Sequence, residues 1–235
     1  MVLSETWVEG KGWQKLKSKL PKGYVWAMQE ARRKSKKGRV MGGMVMGIRK
    51  RMMDKGKKVE VDKEGLMVGK IRCGRKRWRV IGMYVNGDIE EKLERLEEWV
   101  EGKEEGAKMI IGGDFNARTG SEGGIMMGEE KEEGGGRKSK DGKVREERIL
   151  LNFLVEKGWV LFNGNTRGDE RGEFTFTGGK GCTVIDYIIG DREIRESVIE
   201  MRVTDKIDSD HQPVEVKIKG EVSREKEWRG EVEEG

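Results

Sequence analysis

Histidine, proline and cysteine are scarce in this chain: 235 residues include one histidine, two prolines and two cysteines. The cysteines, Cys73 and Cys182, form no CxxC motif and suggest no disulfide framework, which makes a reducing compartment the default and leaves no basis for a structural zinc site. No stretch approaches the ~18 apolar residues of a membrane span. The opening Met-Val-Leu-Ser-Glu-Thr-Trp has neither the charge pattern nor the length of a signal peptide. A soluble intracellular protein without a membrane partner is therefore expected. Aromatic residues make up only 6% and hydrophobic residues 34%, against 40% charged, so the core must be economical. With 36 glycines against the two prolines, tight turns must be built on glycine.

The length fits one ordinary domain. The net charge of +5 is small because 49 basic residues oppose 44 acidic ones, so local patches matter more than the total. Arg32, Arg33, Lys34, Lys36, Lys37 and Arg39 form the clearest basic cluster, and Glu129 to Glu133 an acidic run. Both also suit a solvated surface.

The stretch from Lys108 to Thr119 organises the rest. Met109, Ile110 and Ile111 suit a buried parallel or central strand that runs into Gly112 and Gly113 and delivers Asp114 and Asn116 at its carboxyl edge. Residues at i and i+2 point the same way, so Asp114 and Asn116 can face one site while Phe115 turns to the core. The same residues also suit an Asx-type turn, in which both side chains bond nearby backbone N–H groups.

Around this stretch the spacing predicts a short helix over residues 11–20 and strands at Tyr24–Met28, Gly43–Ile48, Val59–Val61, Leu66–Ile71 and Trp78–Val85. Asp88 caps a helix whose apolar stripe is Ile89, Leu93, Leu96 and Val100. Ile149, Leu150, Phe153 and Leu154 mark another, ended near Gly158 and followed by a strand at Trp159–Phe162. Further strands are expected at Phe174–Phe176, Thr183–Ile189, Val198–Val203 and Val214–Ile218, with a short helix near Asp191–Glu196. Residues 120–143, rich in Gly, Glu and Lys, read as a mobile loop, and residues 220–235 as a charged tail. This order predicts sheets covered by helices.

Five separate elements end in polar groups useful for phosphodiester hydrolysis: Glu5, Tyr84 with Asn86, Asp114 with Asn116, Asp186, and Asp210 with His211. His211 is the sole histidine, and Asp186 could hold its imidazole in one tautomer.

The segments Leu3-Ser4-Glu5-Thr6-Trp7, Gly113-Asp114-Phe115-Asn116, Thr183-Val184-Ile185-Asp186-Tyr187 and Ser209-Asp210-His211, in this order, resemble the endonuclease/exonuclease/phosphatase superfamily. Within it the chain is most similar to the endonuclease domains of non-LTR (LINE-type) retrotransposons. The resemblance implies an α/β (α+β) fold, a four-layered sandwich of two mostly antiparallel or mixed β-sheets flanked by helices, over residues 1–219. It implies that Glu5 binds a divalent metal, that Asp114 orients or deprotonates the attacking water, and that Asn116 positions water and phosphate. His211 would stabilise the phosphate, Asp186 would hold His211, Asp210 would assist the metal or the negative potential, and Tyr84 would contact the scissile phosphate.

A phosphodiester is anionic and gathers charge in its transition state, so a cation and a protonated imidazole stabilise it while a carboxylate prepares water. An all-oxygen set points to magnesium, with manganese as a substitute, and to no small-molecule cofactor. DNA is the implied partner, nicked to leave a 3′-hydroxyl, with the nucleus as the place of work on chromosomal DNA. The resemblance sets Tyr84 where secreted DNases, sphingomyelinases and inositol-polyphosphate phosphatases typically carry a second histidine, which favours nicking of DNA over dephosphorylation of a soluble head group. Family members carry a further strand with an Asn ligand ahead of the Glu-Thr-Trp strand, and this chain is expected to lack it. The competing expectation is therefore an inactive truncated remnant that at most binds nucleic acid through Arg32–Arg39 and Arg72–Arg79.

Overall fold

The computed structural model describes residues 1–33, 38–54, 56, 58–62, 65–101, 106–124, 136–142, 144–145, 148–206 and 208–219. The chain opens with β1 (Val2–Leu3), α1 (Gly10–Lys17), β2 (Tyr24–Gln29), the short pair β3 (Arg32–Arg33) and β4 (Val40–Met41), and β5 (Met44–Arg49). It continues through β6 (Glu60–Val61), β7 (Leu66–Cys73), β8 (Lys76–Tyr84), α2 (Ile89–Glu101), β9 (Lys108–Asp114) and β10 (Arg118–Thr119). After β11 (Val144–Arg145) come α3 (Arg148–Lys157), β12 (Val160–Leu161), β13 (Phe176–Gly178), β14 (Gly181–Thr183) and β15 (Asp186–Gly190). The described part closes with α4 (Arg192–Ser197), β16 (Val198–Val203) and β17 (Val214–Ile218).

Six strands form one mixed sheet in the order β12-β15-β9-β8-β7-β6. Its β8–β9 pair is parallel and the other pairings are antiparallel. A parallel pair needs a crossover, and α2 supplies it. Asp88 caps α2 by accepting the Glu90 N–H at 2.9 Å, and Glu90 and Glu91 in the first turn suit the positive end of the helix dipole.

Alternation along the strands divides the apolar residues between two cores. Leu66, Val68, Ile81, Met83, Met109, Ile111, Tyr187 and Ile189 face one side, where Leu93 and Leu96 of α2 and Leu150 and Leu154 of α3 cover them. Met67, Ile110 and Ile188 face the other side, against Met44, Met46 and Ile48 of β5, Ile194 of α4 and Met201 of β16. The second layer consists of the three-stranded sheet β1-β5-β2 and the β16–β17 hairpin. The sheets approach closely at Gly69, where a Cβ would come within 2.2 Å of the Ile48 side chain. Helix α1 carries no buried residue. The result is the expected α+β sandwich.

One expectation is corrected. Thr183–Ile189 is not one strand: β14 ends at Thr183 in a hairpin with β13, and β15 begins at Asp186 beside β9. The break has a polar cause. The N–H groups of Ile185 and Asp186 both donate to the Thr175 hydroxyl at 3.0 Å, and that of Val184 to Asp141 at 3.3 Å, so these donors are satisfied off the ladder.

Of the stretch 120–143 expected as a mobile loop, residues 125–135 and 143 lie outside the described residues. Within 136–142, Arg137 and Asp141 are buried, each 3% exposed, while Gly136, Lys138, Lys140 and Gly142 are exposed. Arg137 donates to the carbonyls of Asn163 at 2.7 Å, Glu122 at 2.9 Å and Gly120, and Lys138 N–H bonds the Gly164 carbonyl at 2.9 Å. Polar bonds hold what apolar burial would not. The acidic run 129–133, Lys34, Lys36 and Lys37 of the basic cluster, and the tail 220–235 lie outside the described residues.

Candidate active site

Three neighbouring strands bring three functional groups into one row. Tyr84, the last residue of β8, is the register partner of Asp114, the last of β9, and Asp114 is the partner of Asp186, the first of β15. The row lies at the carboxyl ends of the parallel pair, where open sheets commonly place their chemistry. At Gly113 a Cβ would come within 1.8 Å of the Met83 carbonyl oxygen, so only glycine lets β9 reach this position so close to β8.

His211 enters from the connection between β16 and β17 and is stitched to β13. Thr177 N–H bonds the Asp210 carbonyl at 2.8 Å, Gln212 N–H bonds the Thr175 carbonyl at 2.7 Å, and the His211 ring packs edge-on to Phe176 with centroids 5.0 Å apart. Its Nδ1 lies 3.0 and 3.1 Å from the Asp186 carboxylate oxygens, and its Nε2 lies 3.9 Å from Asp114 Oδ2. An Nδ1 between two carboxylate oxygens must carry a proton, which turns Nε2 toward Asp114 and the space beyond it.

Asn116 stands at φ +48°, a left-handed conformation that Asn tolerates. Its N–H bonds Asp114 Oδ1 at 2.9 Å, and its Nδ2 bonds the Val85 carbonyl at 2.8 Å and Asp114 Oδ2 at 3.2 Å. The Asx-type turn and the functional cluster are thus the same object, while Phe115 is fully buried as the alternation required. Glu5, at φ +50°, accepts the Tyr84 hydroxyl at 2.6 Å. Asn86 and Asp210 are exposed.

Burial raises the Asp114 pKa to about 7; Asp186 and Glu5 add to the rise, and the Asn116 N–H and His211 oppose it. Burial would lower His211, but the hydrogen bond and charge of Asp186, with the charges of Asp114 and Asp210, raise it to about 9. Burial, followed by the bond to Glu5, drives the Tyr84 phenol far above its usual range, so it stays a donor.

The site therefore gathers three carboxylates around one imidazolium. Among the described residues, the group whose ligand atoms lie within 4.8 Å of one another is Asp114, Asp186 and His211; Glu5 and Asp210 lie outside it. With Nδ1 of His211 committed to Asp186, carboxylate oxygens remain as donors, and mutual repulsion among them is what a hard divalent cation relieves. The donor set fits such an ion.

Three supporting residues escaped the sequence. Thr175 holds the bend before Asp186, Phe176 packs on His211, and buried Asn163 donates to the Asp186 carbonyl at 3.0 Å and accepts the Ile188 N–H at 3.0 Å. Their only signal is a polar or aromatic residue beside an apolar run, which many surface positions share.

Residues 78–215 match the profile of the family described as endonuclease-reverse transcriptase, a range that includes Tyr84, Asp114, Asn116, Asp186 and His211. The chain belongs to this family. Its fold is similar to the endonuclease domain of TRAS1, a telomere-specific non-LTR retrotransposon, at 19% identity over 86% of this chain and 82% of that one, with a TM-score of 0.56. It is also similar to the 3′-5′ exonuclease NExo from Neisseria meningitidis, at 17% identity over 92% of this chain and 88% of that one, TM-score 0.58. The AP endonuclease LMAP from Leishmania major superposes at 14% identity over 92% of this chain and 76% of that one, TM-score 0.62. No curated protein matches the sequence. Membership of an endonuclease family supports phosphodiester hydrolysis in general terms.

Proposed function

We propose that this domain nicks one strand of DNA by magnesium-dependent attack of water on a phosphodiester, as an endonuclease of retrotransposon type. The observation that carries the reading is the row Asp114, Asp186 and His211, in which a half-neutralised carboxylate and a protonated imidazole face one another across 3.9 Å. A base with a pKa near 7 is matched to proton transfer at neutral pH. Asp114, held by Asn116, takes a proton from the attacking water as its oxygen bonds to phosphorus. His211, kept cationic by Asp186, stabilises the negative charge that grows on the phosphate oxygens. Tyr84, anchored to Glu5, presents its phenol to the same side.

The bond between phosphorus and the 3′ oxygen breaks, and the departing oxygen takes a proton from solvent water to become a 3′-hydroxyl. Magnesium, held by Glu5 and the carboxylates of the row with Asp210 adding to the negative potential, would supply charge neutralisation at the phosphate. DNA as substrate is supported by the similarity to a Neisseria 3′ phosphatase bound to a product DNA hairpin, at 16% identity and a TM-score of 0.58. For action on chromosomal DNA the proposal includes a nuclear location.

Conversion of supercoiled plasmid to open circle tests the reading. Nicking should require magnesium, stop in EDTA, and fall by at least about a hundredfold in Asp114→Ala and His211→Ala. A folded sample that never nicks would sink it in favour of a remnant that only binds.

A further inference from the structure

Trp7 combines two costly features. It stands at φ +51°, a conformation in which a bulky side chain is an outlier, and its indole is 52% exposed, one of the few large apolar side chains left in solvent. The backbone explains how this is held. Thr6 N–H bonds the Gly43 carbonyl at 3.2 Å and Trp7 N–H bonds the Gly42 carbonyl at 3.0 Å, which clamps the segment to the turn between β4 and β5 and directs the indole outward. It does not explain why the residue is tryptophan. Glycine would meet the same φ without strain, and a polar side chain would be better solvated.

The surroundings give a reason. The Arg39 guanidinium lies 4.9 Å from the Trp7 ring centroid. Gly42, whose carbonyl clamps Trp7, also borders the active site: a Cβ there would be 3.4 Å from Tyr84 Cε1 and 4.0 Å from Asn86 Nδ2. Two residues earlier, Glu5 accepts the Tyr84 hydroxyl. An exposed indole beside a guanidinium therefore flanks the Glu5–Tyr84 end of the row. An aromatic face accepts any nucleobase by stacking, and a cation beside it suits the adjoining phosphate.

We propose that Trp7 and Arg39 form a nucleotide grip, in which Trp7 stacks on an unpaired or everted base next to the cleaved phosphate and Arg39 pairs with the neighbouring backbone phosphate. The inference rests on the site being one that takes DNA. Burying the indole against a base also gives a use to the backbone strain at Trp7, because the strained conformation fixes the ring before substrate arrives.

The test is binding, so that it stands apart from cleavage. In the His211→Ala background, binding of a single-stranded oligonucleotide carrying 2-aminopurine is followed by anisotropy and by quenching of the base analogue. Trp7→Ala should weaken binding roughly tenfold or more and abolish the quench, while Trp7→Phe keeps most of both. Arg39→Ala should weaken binding and lower the slope of log affinity against log salt by about 0.7. Because Trp7 is exposed, these variants should fold normally, checked by their melting temperatures. Unchanged binding and quench in Trp7→Ala would overturn the grip and leave the nuclease reading intact. Trp7-dependent binding together with a parent chain, His211 intact, that never nicks would keep the grip and sink the nuclease. No binding of DNA at all would overturn the grip as well.

Discussion

Asp114 and Asp186 are opposed partners across the antiparallel β9–β15 pair, with the only histidine of the chain in contact with one and 3.9 Å from the other. Like charges directly opposite on a sheet repel, and here burial adds to the effect.

Asp114 should therefore destabilise the metal-free fold once ionised. Its pKa is raised from 3.8 to about 7, so the folded chain holds this proton more tightly than the unfolded chain does. That contribution is full below the unfolded value and is lost as pH rises toward about 7. In EDTA, the melting temperature of Asp114→Asn relative to the parent should climb between pH 5 and pH 8, by the equivalent of about 1–3 kcal/mol. The altered bonds to Asn116 are independent of pH and only offset the curve. A flat difference would refute the account.

His211 works in the opposite sense. Its pKa is raised from 6.5 to about 9, so the stability it contributes is full below about 6.5 and is lost as pH rises through about 9. A single histidine gives one set of imidazole resonances, so an NMR titration reads it without assignment. The parent should titrate near 9, and Asp186→Asn, with burial no longer opposed by the adjacent carboxylate, should fall below 7. A value near 9 in the variant would mean that Asp186 does not hold the proton.

Divalent binding has a readout that needs no activity. Magnesium added to the EDTA-treated protein should raise the melting temperature in proportion to the logarithm of its concentration above the Kd. The rise should be larger at pH 8 than at pH 6, because Asp114 must be ionised. Asp114→Ala and Glu5→Gln should each weaken the response about tenfold or more. A response unchanged in Glu5→Gln would remove Glu5 from the ligand set.

Arg137→Met should be severe despite its place in a Gly- and Lys-rich segment. The guanidinium serves the buried carbonyls of Gly120 and Asn163 and the half-buried carbonyl of Glu122, and leaving the two buried acceptors unpaired costs about 2 kcal/mol or more. Chemical denaturation measures the loss.

What the sequence made legible was periodic or concentrated. Alternation at Leu66–Ile71, the stripe Leu93–Leu96, and the run Met109–Ile111 between glycines all became elements within a few residues of their expected ends. Tyr84 and Asp114 meet because each ends such a strand, with Asn116 in the turn just beyond, while Asp186 and His211 join them from a strand start and a connection. The bend at Val184–Ile185 was invisible, since it depends on a threonine hydroxyl ten residues away and an aspartate more than forty residues away. The anchoring by Arg137 was invisible for the same reason. Composition reports apolar burial, and this segment is held by carbonyls that any sequence would have carried.

Strand register sets a schedule as well as a geometry. The site takes Glu5 and Tyr84 from the first half of the chain, Asp114 from its middle, and Asp186 and His211 from its last quarter. A ribosome releases these residues over tens of seconds at about 5–20 residues per second. Throughout that interval the nascent chain can pair β7 with β8 and seat β9 beside them, yet it has neither the strand that opposes Asp114 nor the imidazole that faces it. The row of Asp114, Asp186 and His211 is closed only once residues 186–211 have been made, so nascent fragments that lack them carry an incomplete site.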